Sequence, residues 1–112
     1  MVINMESRME LISWIMLSVN SPKISRACKR LGINDVEVHT EDHQDFLNKE
    51  FLEILLNEYE SIRRTLHNQM DMESTMEEHQ WLGGYYPCDI WTEAEIELNT
   101  VIDEIADLIE ML

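Results

Sequence analysis

Residues 40–70 constrain the fold most, because they predict one long helix. Apolar side chains recur there at steps of three and four, which places them along one side of a 3.6-residue helix. Thr40 can cap its N-terminus, and acids in the first turns and bases near the end suit the helix dipole. We expect this helix to form the centre of the fold and to share a dimer interface. Its apolar stripe consists of Leu52, Leu55, Tyr59, Ile62 and Leu66.

Two helices are predicted before it. The first runs from an N-cap at Asn4 to about Val19, and its short polar face indicates that it is well buried. The second begins at Pro22 behind the N-cap Ser21 and ends at Gly32, which tolerates the left-handed conformation found after helix ends.

The chain beyond residue 70 predicts at least one more helix. The apolar pattern weakens near Ser74, which indicates a break or kink, although one continuous helix is also compatible with it. Thr92 and Glu95 form a capping box that opens a final helix. Between the second and the long helix, Val36 and Val38 alternate as in a short strand or an extended connector. We expect one all-α domain, residues 1–112, with four or five helices.

Acidic residues dominate the charge, with 23 acids against 8 Lys and Arg and a formal net charge of −15. The first 64 residues hold 11 of the acids and all 8 bases, whereas the remaining residues hold 12 acids and no Lys or Arg. Such a chain repels nucleic acid and anionic membranes and attracts basic partners. We therefore expect a basic protein surface as partner, with no direct nucleic-acid or membrane binding.

The same composition bears on location. Two cysteines, Cys28 and Cys88, are too few for a disulfide scaffold, and the first ten residues lack the basic start of a signal peptide. No apolar run approaches the roughly 18 residues of a membrane span. We expect a cytoplasmic protein.

The second helix carries a basic cluster, Lys23, Arg26, Lys29 and Arg30, and part of this segment resembles a DNA-binding motif. Residues 24–33 are similar to the first helix and turn of a helix-turn-helix unit, with a small residue, Cys28, four positions before Gly32. That resemblance implies a recognition helix next, but Asp35 and Glu37 follow, and carboxylates are repelled by phosphates. We favour a role for the cluster as counter-charge to the acidic helices.

Carboxylate pairs suggest an enzyme as a further alternative. Glu50 with Glu53 and Glu104 with Asp107 resemble the metal-binding pairs of all-α, magnesium-dependent nucleotide pyrophosphatases. Their separation is far longer than in that family, and a chain this acidic contains such pairs by chance. No nucleotide-binding or nucleophile motif occurs. We therefore expect no enzymatic activity, no cofactor and no metal.

The carboxylates of the last helix form the main candidate site. Like charges one turn apart destabilise a helix, so their accumulation suggests a function. In composition the chain resembles the small acidic helical inhibitors that bacteriophages and mobile elements direct at host nucleases, restriction enzymes and CRISPR complexes, which implies nucleic-acid mimicry. A solvated acidic face without a partner is the alternative. The predicted contact residues are Glu93, Glu97, Asp103, Glu104, Asp107 and Glu110, with Tyr85 and Tyr86 of an aromatic loop as short-range anchors.

Overall fold

The computed structural model describes the backbone of residues 5–38, 42–80 and 89–112 and the side chains of residues 7–38, 42–73 and 90–112. Within these ranges the chain is all-α, as expected, and contains no strand. No helix there is long and apolar enough to cross a membrane. The elements are α1 (Met5–Ser18), α2 (Pro22–Leu31), a 3-10 helix (His43–Leu47), α3 (Lys49–Gln80) and α4 (Asp89–Met111).

Helix α2 has the predicted bounds, because its start and stop signals are local. Ser21 is extended and Pro22 occupies the first turn, while Gly32 adopts φ 73°. The Gly32 amide donates to the Lys29 carbonyl at 3.2 Å, and the Ile33 amide donates to the Cys28 carbonyl at 3.0 Å. These bonds satisfy carbonyls that a helix end otherwise leaves free.

The predicted start of the long helix is wrong. Thr40 lies outside the described residues, but the chain after it forms the 3-10 helix, in which Phe46 is fully buried. Asn48 is the functioning N-cap, because its side-chain oxygen accepts from the amides of Glu50 at 3.0 Å and Phe51 at 3.3 Å. The helix then continues to Gln80, so the predicted break near Ser74 is not present in its backbone.

Helix α4 also begins elsewhere than predicted. It starts at Asp89, so Thr92 lies inside the helix and does not cap it. Glu95 does not complete a capping box, since its carboxylate lies 2.7 Å from Nε2 of His67 on α3. The predicted cap Asn4 of α1 lies outside the described residues.

Helix α4 is the helix that contacts all three other α-helices of the described chain. It packs against α1, α2 and α3, and α3 also packs against α2. The 3-10 helix contacts both α1 and α3. The 3-10 helix thus lies between α1 and α3, and α4 holds the described α-helices together.

Polar contacts fix the direction of each helix on α4. Along α3, Arg63 donates to Asn99 at 3.0 Å, and Glu73 accepts from the Trp91 indole at 2.6 Å. As the position on α3 rises, the partner position on α4 falls, so the two helices are antiparallel. The partner positions on α4 also fall along α1 and α2. Arg8 donates to the Met111 carbonyl and Ser18 donates to Glu104. Further along the chain, Lys23 of α2 lies 3.9 Å from Glu97.

Tyr59 joins α3 to the end of α1 through the core. Its side chain is 0% exposed, and its hydroxyl donates to the Val19 carbonyl at 3.3 Å. Burial, followed by the charge of Asp35, raises the pKa of Tyr59 above its ordinary value. The hydroxyl therefore remains a donor throughout the physiological pH range.

Helix α1 is less buried than expected. Ile12 and Ile15 face the core, but Trp14 is 56% exposed and Leu17 is 71% exposed. The helix is apolar on several sides, and α4 covers one of them. Exposed apolar surface that includes a tryptophan often marks a site of interaction with another molecule.

Candidate protein-binding surface

Three of the predicted carboxylates form an exposed row on α4. Asp103, Asp107 and Glu110 are spaced by four and three residues, which places neighbouring side chains about 5–6 Å apart on one face. All three are exposed, and no ion pair or hydrogen bond joins them to another described side chain. We call these three residues the α4 acidic row.

The other predicted carboxylates differ in their surroundings. Glu93 is exposed but lies ten residues before Asp103. Glu97 is partly buried and lies 3.9 Å from Lys23, so a cation of α2 partly offsets its charge. That contact agrees with the expected counter-charge role of the basic cluster.

Glu104 is held by a hydrogen bond from α1. Its carboxylate is partly buried and accepts the Ser18 hydroxyl at 2.9 Å. Burial raises the pKa of Glu104, the charges of Glu97 and Asp107 raise it further, and the Ser18 hydrogen bond lowers it. Glu104 therefore adds charge to the row but offers less surface to a partner.

A groove between α1 and α4 adjoins the row, and the sequence analysis did not predict it. The groove has a volume of about 500 Å³, and its α4 wall includes Asp107 and Glu110. The α1 wall adds Glu10 and the exposed indole of Trp14, with Leu11 and Met111 among the other lining residues. We call it the α1–α4 groove. The spacing of Glu10, Leu11 and Trp14 on one helical face was the signal in the sequence, but nothing local indicated that α4 lies beside that face.

A second groove, of about 620 Å³, lies between the connector 33–37 and α3. Its carboxylates include Asp35, which accepts from the Ser25 hydroxyl and from the Val36 amide. Glu37, also in its lining, has a partner within the chain as well. This groove therefore presents fewer free acceptors than the α1–α4 groove.

Two cations of the basic cluster, Lys23 and Arg30, lie against α4. The Arg30 guanidinium lies 5.8 Å from the centre of the Trp91 ring. Residues 33–38, where a recognition helix would follow the turn, form no helix. The arrangement does not complete a helix-turn-helix unit.

The carboxylate pairs considered for magnesium do not come together into a metal-binding cluster within the described residues. Glu50 and Glu53 are exposed on α3, and Glu104 is bonded to Ser18. In the described part of the chain, no three metal-ligating side chains come together. The predicted contact residues Tyr85 and Tyr86 lie outside the described residues.

Comparisons of the chain with protein-family models, with curated proteins and with solved structures found no match.

Proposed function

We propose that this chain is a stoichiometric binding protein that engages a basic surface of a nucleic-acid-processing or host-defence protein. It acts there as a nucleic-acid mimic, and a bacteriophage or mobile element is its proposed source. It works by occupying the partner's nucleic-acid site and performs no chemistry. Glu93, Glu97 and Glu104 contribute to the field around the α4 acidic row, and Tyr85 and Tyr86 add contacts.

The observation that carries this proposal is the α4 acidic row. Its three carboxylates are exposed and lack a cation partner among the described side chains. The repulsion between them destabilises α4, and no described contact compensates for it. A basic partner would convert that repulsion into attraction and would accelerate association at low salt.

The geometry of the row also supports mimicry. Carboxylates repeated once per helical turn are separated by a distance comparable in scale to that between successive phosphates of a nucleic-acid strand. A rigid helix presents them without the ordering cost of a flexible acidic tail. A channel lined by Lys and Arg can therefore accept the row in place of a phosphate backbone.

Capture of a partner from a bacterial lysate tests the proposal. The chain is immobilised, loaded at about 50 mM salt and washed at rising salt, since contacts of this kind weaken with ionic strength. We expect a nucleic-acid-binding protein to be released by salt. The purified partner should then lose nucleic-acid binding when the chain is added in equimolar amount.

A matched pair of triple variants separates the row from net charge. Asp103→Asn, Asp107→Asn and Glu110→Gln together remove three charges from α4. Glu50→Gln, Glu53→Gln and Glu58→Gln remove three exposed charges from α3. We expect the first triple variant to lower partner affinity at least tenfold and the second to have a much smaller effect. Equal losses would attribute binding to net charge and contradict the proposed site.

The expected homodimer through α3 is also a proposal. Ile54 and Met72 are 54% and 61% exposed, and their separation of 18 residues returns them to the same helical face. Sedimentation equilibrium should show a dimer that Ile54→Asp dissociates, with Ile96→Asp on α4 as control. A monomer at all concentrations would contradict this part of the proposal.

A further inference from the structure

We infer that the α1–α4 groove is a receptor for an arginine side chain of the basic partner, with Trp14 as its stacking surface. The inference rests on the proposed function and deepens it, because it names the group that the chain recognises. It also adds α1 to the binding surface, which the sequence analysis confined to α4 and the aromatic loop.

The groove combines an exposed indole with three carboxylates. Trp14 is 56% exposed although it lies on a helix packed against the core. Glu10, on the same face of α1, and Asp107 and Glu110, on α4, line the same groove. No described side chain is ion-paired with these three carboxylates. Arg8, the cation nearest in sequence, donates instead to the Met111 carbonyl at 2.9 Å.

A guanidinium group matches this combination better than an ammonium group. It is planar, it stacks on indole faces, and its five N–H donors can bond to carboxylates at the same time. Leu11 and Met111 supply apolar surface for the three methylene groups of the arginine side chain. The chain already contains such a contact in its core region, where Arg30 lies over Trp91.

The charge of the chain argues against a second copy as the occupant. The groove carries three carboxylates, and a second copy has only 8 Lys and Arg against 23 acids to place in it. An acidic surface of the copy would be repelled at this position, whatever contact two copies make through α3. An arginine-bearing segment of a basic protein instead neutralises the groove and covers the exposed indole.

Two peptides of equal charge test the inference on the intact chain. The probes are acetylated and amidated ten-residue peptides of alternating alanine with arginine, or alanine with lysine, titrated at about 20 mM salt into ¹⁵N-labelled protein. We expect the arginine peptide to shift the Trp14 indole N–H signal and the amide signals around Glu10, Asp107 and Glu110. It should bind more tightly than the lysine peptide.

Two variants on the same helix provide the matched control. Trp14→Ala should weaken the arginine peptide about three- to tenfold, which is the range expected for one cation–π contact. Leu17→Ala also removes an exposed apolar side chain from α1 but lies outside the groove lining, so it should leave the affinity unchanged. Far-UV circular dichroism verifies that both variants fold.

Several outcomes would overturn the inference. Peptide-induced shifts around Asp103 with no change at Trp14 would place binding on the α4 acidic row alone and leave the proposed function intact. Equal loss of both peptides in Trp14→Ala would exclude selective recognition of arginine. Trp14 signals that change with protein concentration in the absence of peptide would identify a second copy as the occupant. Absence of binding by either peptide would remove the groove as a receptor.

Discussion

Removal of the Tyr59 hydroxyl should destabilise the protein by an amount that its burial determines. Tyr59→Phe keeps the ring and its packing but leaves the Val19 carbonyl without its donor. Tyr59 is 0% exposed and Val19 is 7% exposed, so water cannot readily replace the hydroxyl. A net loss of about 1.5 kcal/mol follows, between the value of an ordinary hydrogen bond and that of a buried group left unpaired.

The loss can be measured as a shift in Tm and in the urea midpoint. Unfolding entropy near 2.1 cal/mol/K per residue gives about 0.24 kcal/mol/K for a chain of 112 residues. A loss of 1.5 kcal/mol therefore corresponds to a decrease in Tm of about 6 °C. Circular dichroism at 222 nm follows both transitions, and an unchanged slope against urea would show that the unfolded state is unaffected.

A second hydroxyl provides the control for this measurement. Thr100 on α4 is exposed and donates to the Ile96 carbonyl at 3.0 Å. Thr100→Val also removes one hydroxyl bonded to a backbone carbonyl, but water remains available there, so the change should stay within about 0.5 kcal/mol. If Tyr59→Phe cost no more than Thr100→Val, the argument from burial would be refuted.

Three further outcomes follow from individual side chains. Burial, with a smaller contribution from Asp35, raises the pKa of Cys28 from 9.0 to about 11. The contribution of the thiol to stability is therefore full below pH 9 and is lost as the pH rises to 11. Urea unfolding at pH 8 and at pH 10.5 should show that Cys28→Ala loses less free energy of unfolding between these two pH values than the unaltered protein does. Because the pKa of Glu104 is also raised, its charged form destabilises the fold above its ordinary pKa. Glu104→Gln should therefore flatten the dependence of stability on pH between 4 and 7, and Glu110→Gln, at an exposed position, serves as control. Asn48→Ala removes the α3 cap and should lower the free energy of unfolding by about 1 kcal/mol, with no loss in Asn48→Ser.

Local signals predicted some helix boundaries and missed others for identifiable reasons. At α2, proline at the start and glycine at the end permit few alternatives, and the predicted bounds match the structure. At α3, Thr40 and Asn48 are both suitable caps. In the structure Asn48 caps α3, and Phe46 is buried in the 3-10 helix that precedes it. The local sequence pattern does not show that Phe46 is buried, so it could not distinguish the two caps. At α4, pairing of Glu95 with His67 on another helix replaces the predicted capping box.

The sequence predicted which carboxylates share one face of α4, but it did not predict which side chains of other helices lie beside them. Helical periodicity placed Asp103, Asp107 and Glu110 on one face of α4, and all three are exposed. Glu10 and Trp14 were missed because they reach that surface through the packing of α1 on α4, which joins positions about a hundred residues apart. The apolar stripe of residues 52–66 led to the expectation of α3 at the centre, but periodicity within one helix does not indicate which helix packs against all the others, as α4 does.

The arrangement of all the helices around α4 has a consequence for the order of folding. This helix follows α1, α2 and α3 in the chain, and it packs against all three. Before α4 is in place, the preceding helices expose apolar surface that it covers in the folded protein. We expect the nascent chain to remain largely uncollapsed until α4 has left the ribosome and then to fold in one step. Mutations within α4 should consequently reduce yield in cells more than equally buried changes in α1.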